Sequence, residues 1–277
     1  MKSEVVEYYT DTGMDYRAWS SRFNMHFGYW RWGLNPFRRE PMLEEMNRQV
    51  TSGVQGDWIL DLGCGLGATM RSLARARPET RVTGLTLVPW QVEHATQLNA
   101  KYGSRLAVER GSYLDIPFES ESADGAYALE SCCHAPGPDK PEFLSEMQRV
   151  LKPGARFAVA DGFCKTADKD QPSAFKKMVS WCCDGWALDC FPNLPLFLDK
   201  LSDLGFQDIE VRDISWNISP SVLHSPWLVV RFSLEKLLKG EHLNEVRRRH
   251  LLSCFVSLLI GLHRRHFGYY LITGRKG

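Results

Sequence analysis

The sequence predicts an α/β protein whose sheet is parallel and doubly wound. Three observations carry this. Short apolar runs alternate with helical stretches from residue 57 onward. A glycine-rich loop, Gly63-Cys64-Gly65-Leu66-Gly67, closes the first apolar run, and a Lys152-Pro153-Gly154 turn separates a later helix from the run after it. Strands that alternate with helices at this spacing build parallel sheets through right-handed crossovers.

Taken in order, residues 1–50 form an N-terminal helical cap. They are crowded with aromatics (Tyr8, Tyr9, Tyr16, Trp19, Phe23, Phe27, Tyr29, Trp30, Trp32 and Phe37) that do not alternate as a strand would, and Pro36 and Pro41 punctuate them. Pro41 and the acids behind it start a helix. The core spans 51–215. Trp58-Ile59-Leu60-Asp61-Leu62 is a buried strand, Ala68 to Ala76 a helix stopped by Pro78, Arg81 to Leu85 a strand, and Pro89 to Asn99 a helix. Arg105 to Glu109 and Ala123 to Leu129 are strands, Pro141 to Leu151 a helix, and Ala155 to Ala160 a fifth strand after a tight turn at 152–154. Residues 163–193 are a lid-like insertion. Leu194 to Leu204 is a helix ended by Gly205, and Phe206 to Ile214 alternates as a strand. Residues 216–266, about fifty and too many for a hairpin loop, are a helical insertion with a long helix from near Asn244 to about His263. The β-branched and aromatic run Gly268 to Gly274 marks 267–277 as the final strand.

The 277 residues are 44% hydrophobic and 24% charged, which excludes a disordered or fibrous chain. Thirty-four Lys and Arg against 33 Asp and Glu leave +1, without the basic excess of a nucleic-acid binder. The acidic start, Met1 to Glu7, lacks the apolar run of a signal peptide. Leu251 to Leu262, broken by Ser253, Ser257 and Gly261, falls short of the roughly 20 residues a span needs, so any membrane contact is peripheral. Eight cysteines, two pairs vicinal and none in C-x-x-C spacing, fit reduced thiols in a cytoplasmic protein better than disulfides or a zinc ribbon. A homo-oligomer is among the states the sequence allows.

Glycines at the end of the first strand let a ligand approach the backbone, and the helix that follows offers unpaired N–H groups. Ligands of open α/β sheets bind outside the carboxyl ends of the strands. A phosphate-binding loop would need Lys-Ser/Thr where Ala68-Thr69 stands, and a dinucleotide site would place an acid where Thr86 stands.

With these residues in hand, the chain resembles the class I S-adenosylmethionine-dependent methyltransferases, whose mark is an acid-Gly-x-Gly-x-Gly loop after the first strand, here Asp61 to Gly67. The resemblance runs from about 57 to 161. It implies a Rossmann-like sheet of seven strands, the last antiparallel, with a helical cap and insertions. Ala128-Leu129-Glu130-Ser131-Cys132-Cys133-His134-Ala135-Pro136 resembles the segment after the fourth strand of sterol C-methyltransferases, and Leu114 to Phe118 and Arg149 to Gly154 fit the same group. Val82 to Leu87, followed by Gln91, resembles tocopherol methyltransferases and cyclopropane-lipid synthases, where Thr and Gln replace a ribose-binding acid. Tyr9 ahead of Asp15-Tyr16 resembles the helix that covers the cofactor there.

The resemblance implies S-adenosylmethionine as cofactor, S-adenosylhomocysteine as product and no metal. It assigns cofactor contacts to Asp61, Gly63, Cys64, Gly65, Gly67, Thr86, Leu87, Gln91, Ser112, Tyr113, Leu114 and Glu130. Ser112 departs from the family, which often has an acid there for the adenine amino group; a hydroxyl accepts the same bond more weakly. Glu130 is the first candidate base, with a loop-organising carboxylate as the alternative; His134 and Tyr9 are the others. Cys132 and Cys133 read as packing residues. Tyr16, Trp30, Trp181, Trp186 and Phe191 are candidate substrate contacts, since aromatic faces stabilise cations, although such side chains also simply pack. Arg247-Arg248-Arg249 and Arg264-Arg265 read as a solvated face, with a docking surface for a diphosphate or anionic lipid as the alternative.

The function these features imply is C-methylation of a hydrophobic isoprenoid or lipid-like molecule through a carbocation, with cyclisation where the cation is captured internally. The alternatives are a small-molecule O- or N-methyltransferase and a binding module without catalysis.

Overall fold

A computed structural model describes residues 2–277. Helices α1 (Lys2–Thr12), α2 (Tyr16–Trp19) and α3 (Arg39–Thr51) precede strand β1 (Trp58–Leu62). Then follow α4 (Ala68–Ala76), β2 (Arg81–Thr86), α5 (Pro89–Asn99), β3 (Leu106–Arg110), β4 (Ala123–Leu129), α6 (Pro141–Val150) and β5 (Leu151–Cys164). The chain continues through α7 (Ser173–Trp186), α8 (Leu194–Asp203), β6 (Phe206–Asp213), α9 (Ser215–Val222), α10 (His224–Leu238), α11 (Glu245–Leu262) and β7 (Phe267–Lys276).

The seven strands form one sheet in the order β3-β2-β1-β4-β5-β7-β6. β1 to β5 pair in parallel, and β7 runs antiparallel between β5 and β6. Parallel strands covered on both faces are nearly continuous apolar runs, and β1 is one apart from Asp61. Its side chains alternate between the two cores: Leu60 and Leu62 pack with Phe143, Met147 and Phe157, and Ile59 packs with Val50, Leu73 and Tyr127. Each large side chain so buried contributes roughly 1.5–3 kcal/mol.

Two expectations are corrected. Lys152-Pro153-Gly154 is not a turn between elements but a bulge within β5. Leu151 still pairs with Ala123, and pairing resumes at Arg156 with Gly125, because Gly154 takes φ +76°. The insertion after β6 holds three helices, the last of them the long one. α10 has no polar capping side chain at its start and Pro220 lies inside α9, so neither carries the usual boundary signals. Arg247 is not on a solvated face: it forms an ion pair with Asp15 that fastens α11 to the N-terminal segment.

α7 and α11 cross closely, and Gly185 permits it: a Cβ there would lie 2.0 Å from Ser253 Oγ. α1 docks on α11 through Tyr8, whose hydroxyl meets His250 Nδ1 at 2.6 Å. No described helix is long and apolar enough to cross a membrane.

Candidate active site

Two cavities open beyond the carboxyl ends of the parallel strands. The smaller is lined by Asp61, Gly63, Cys64, Gly65, Thr86, Leu87, Gln91, Ser112, Tyr113 and Leu114. The larger, about 540 Å³, lies beneath α1, α7, α9, α10 and α11. Tyr9, Met25, His26, Glu130 and His134 line both and form the wall where the two meet.

The smaller cavity is shaped by backbone. Gly63 has φ +100°, and a Cβ on it would fall 2.4 Å from Ser131 Cβ, so no other residue fits. Some of the loop's own amides are occupied: those of Gly63 and Cys64 donate to Leu85 O, and that of Gly67 donates to Cys64 O. Gly67 is placed differently from Gly63 and Gly65. It lies outside the cavity lining, packed behind the loop against Asn99 and Arg71, and its φ of +71° serves the start of α4.

Asp61 sits on the floor, 3% exposed, and its Oδ2 accepts the Tyr127 hydroxyl at 2.8 Å. Burial pushes its carboxyl up to about 7, against the lowering effect of Tyr127. The Thr86 hydroxyl donates to Gln91 Oε1 at 2.6 Å, which leaves Gln91 Nε2 buried with no partner. Ser112 Oγ accepts the Leu114 amide at 3.2 Å, and the Tyr113 hydroxyl donates to Ser131 O. A buried carboxylate, an orphaned amide donor and a glycine cradle fit a ligand with a cationic end and hydroxyls, and S-adenosylmethionine has both.

Glu130 follows β4 directly and holds φ +48°, a left-handed conformation that costs a non-glycine residue about 1–3 kcal/mol and marks functional sites. Its amide donates to Ala160 O, while Oε1 accepts both the Phe27 amide and the Tyr269 hydroxyl at 2.7 Å. Burial raises its carboxyl to about 8, and those two donors pull the other way. Four residues on, His134 Nδ1 faces Ala187 O at 3.0 Å and Nε2 faces the Tyr9 hydroxyl at 3.1 Å. Burial lowers the imidazole to about 4, so the ring is neutral; Nδ1 donates to the carbonyl and Nε2 accepts from Tyr9. Burial pushes the thiols of Cys132 and Cys133 well up, which makes them poor nucleophiles.

Among the aromatics proposed for substrate, Tyr16, Trp186 and Phe191 line the larger cavity. Trp30 and Trp181 do not. The Trp30 indole turns back to donate to Leu34 O, and Trp181, 45% exposed on α7, lies under Lys177.

Sequence reasoning missed several residues in and around the larger cavity. Asp161, 3% exposed in β5, accepts from Cys132 Sγ, the Cys133 amide and the Gly162 amide; its signal was a carboxylate inside the apolar run Ala158 to Phe163. Tyr269 lay in a segment legible only as a strand. His250, which burial lowers to about 4, carried no local signal at all. Lys140 is fully buried, its ammonium donating to the carbonyls of Cys133, Ala135 and Cys190, which ties the loop carrying His134 to the segment after α7.

Comparison with known proteins agrees with this geometry. A methyltransferase-domain family profile matches residues 59–154. An O-methyltransferase of Aspergillus sclerotiorum is 32% identical over 209 residues, 71% of this chain and 73% of that protein. A 24-methylenesterol C-methyltransferase of Arabidopsis thaliana is 33% identical over 177 residues, 62% of this chain, which spans only 48% of that enzyme's length. The cyclopropane synthase MmaA2 of Mycobacterium tuberculosis shares the fold, with TM-score 0.83, 14% identity, and coverage of 100% of this chain and 98% of that one. The chain therefore belongs to the class I S-adenosylmethionine-dependent methyltransferases. Within that class it is similar both to sterol C-methyltransferases, over about half of their length, and to fungal O-methyltransferases.

Proposed function

We propose that this methyltransferase methylates carbon on a hydrophobic, isoprenoid- or lipid-like molecule held in the larger cavity. The observation that carries this is the position of Glu130, a carboxyl raised to about 8 in the wall between a polar cofactor-shaped cavity and a large aromatic one. Asp61, Gly63, Gly65, Thr86, Gln91 and Ser112 would hold the cofactor. S-adenosylmethionine, when bound, supplies a methyl group activated by its positive sulfur.

The remaining work falls to this chain's own side chains. Tyr8, Tyr9, Tyr16, Trp186, Phe191 and Tyr269 present aromatic faces to the larger cavity, where they stabilise positive charge developing on the substrate. Glu130, when ionised, takes the proton that a methylated alkene must release, and Tyr269 stabilises the ionised form by donating to it. Neutral His134 accepts from Tyr9 and fixes that phenol at the wall. The helices over the cavity exclude water, which would otherwise quench a cation. Internal capture of the same cation would make the product cyclic.

A second reading, O-methylation, is favoured by the Aspergillus relative. There Glu130 would take the proton of a substrate hydroxyl. Transfer of labelled methyl groups to a panel of sterols, prenylated indoles, quinols and phenols separates the two. Label on carbon is the expected result, and label confined to oxygen replaces the first reading with the second.

A further inference from the structure

Helix α10 carries its apolar stripe on the outside. Leu223, Trp227, Leu234 and Leu238 follow one another at helical spacing and are 68%, 66%, 53% and 87% exposed, whereas Ser225 and Val229 face inward. Beside its start lies the loop bearing Trp32 and Phe37, 87% and 85% exposed. That loop is fixed in place: His224 Nε2 bonds Pro36 O at 2.8 Å, and Trp30 exchanges hydrogen bonds with Asn217. A contiguous apolar surface of this kind on a folded protein marks an interaction site.

Its occupant is indicated by charge and by continuity. Arg38 adjoins Phe37, Arg231 lies one turn beyond Trp227, and Arg265 follows an arginine that sits over the Trp216 ring. Arg38, Arg231 and Arg265 are exposed and form no ion pair among the described residues. A second copy of the chain would bring like charges together across a twofold interface, whereas an anionic surface suits Arg38 and Arg231 alike. Leu223 belongs to the stripe and also lines the larger cavity, so the two meet at this side chain.

We propose that the α10 stripe and the Trp32–Phe37 loop form a docking face for an anionic lipid bilayer, on which the larger cavity opens to receive its hydrophobic substrate from the membrane. Aromatic side chains settle at the level of the lipid headgroups, and neighbouring arginines add electrostatic attraction that falls with salt. The route for substrate rests on the proposed function, but binding to lipid is measured without any substrate.

The test is sedimentation of the full chain with vesicles of phosphatidylcholine alone or with about one third phosphatidylserine. Expected are at least tenfold stronger binding to the anionic vesicles at low salt, loss at high salt, and about fivefold weakening for each of Arg38→Gln and Arg231→Gln. The combined variant Trp32→Ser, Phe37→Ser, Trp227→Ser should weaken binding more than tenfold while its thermal melt and its calorimetric affinity for S-adenosylmethionine stay unchanged. Equal, weak binding to both vesicles overturns the proposal. So does a dimer in sedimentation velocity that the triple variant dissociates. Loss of cofactor binding in the parent chain would instead count against the proposed function.

Discussion

Tyr269 on β7 donates its hydroxyl to Glu130 Oε1 at 2.7 Å, although β5 lies between their strands; the same oxygen also accepts the Phe27 amide. Three distant segments thus converge on one carboxylate oxygen, and the most direct tests address it.

Glu130→Gln should lower kcat by about 10²–10⁴-fold with cofactor affinity by calorimetry nearly unchanged. In the parent enzyme the carboxyl is protonated below about 8 and cannot accept a proton. Turnover should therefore rise with pH and level off above that value. A flat profile would show that another group is the base.

Tyr269→Phe removes a donor that favours the ionised form of Glu130. The inflection of the pH–rate profile should move to higher pH, not merely drop in amplitude. A purely structural role for Tyr269 would lower the rate at every pH alike.

Asp61→Asn and Gln91→Leu should each weaken S-adenosylmethionine binding by about tenfold or more, roughly the 1.5–3 kcal/mol of a hydrogen bond to a charged group. Because the Asp61 carboxyl titrates near 7 in the free protein, affinity should increase as pH rises through that value. Titration calorimetry about one pH unit below and about one unit above that point reads the difference directly.

Stability of the free protein carries the same signature with the opposite sign. Glu130 and Asp61 keep protons in the folded state that the unfolded chain has already released, so their contribution is lost as pH rises toward about 8 and about 7. Between pH 6.5 and 8 these two carboxyls lower the urea-unfolding free energy by about 2 kcal/mol; histidines still titrating in the unfolded chain offset about half, so the net fall should be about 1 kcal/mol, and Glu130→Gln should abolish it. Below 6.5 the trend is opposed by His26, His134 and His250, which burial lowers to about 4 and which the unfolded chain protonates first.

Lys140→Met leaves the carbonyls of Cys133, Ala135 and Cys190 without their shared donor. At about 1–3 kcal/mol for a stranded buried group, the unfolding midpoint should fall clearly. His134, carried on the same loop, should become more exposed, and its NMR titration should move up toward the ordinary imidazole range.

The sheet core is legible in the sequence because its signals are local. A five-residue apolar run such as Trp58 to Leu62 and the prolines and glycines around α4 and α5 set strand and helix ends within a residue or two. The glycine loop, Thr86 and Gln91 are legible for the same reason. The larger cavity is not, because its wall assembles from Tyr8, Asp161, His250 and Tyr269, which neighbour one another only after folding. Trp30 and Trp181 mislead because an aromatic side chain looks alike whether it faces a ligand, a loop carbonyl or solvent. α10 escapes for a different reason: its apolar stripe is periodic, but nothing in the pattern tells inside from outside.

The placement of β7 between β5 and β6 bears on how the protein is made. On the ribosome, β5 and β6 emerge well before the strand that joins them, so each must wait with a bare edge able to pair with a neighbouring nascent chain. The phenol of Tyr269 arrives with that late strand, and the surroundings of Glu130 are therefore among the last parts of the molecule to be completed.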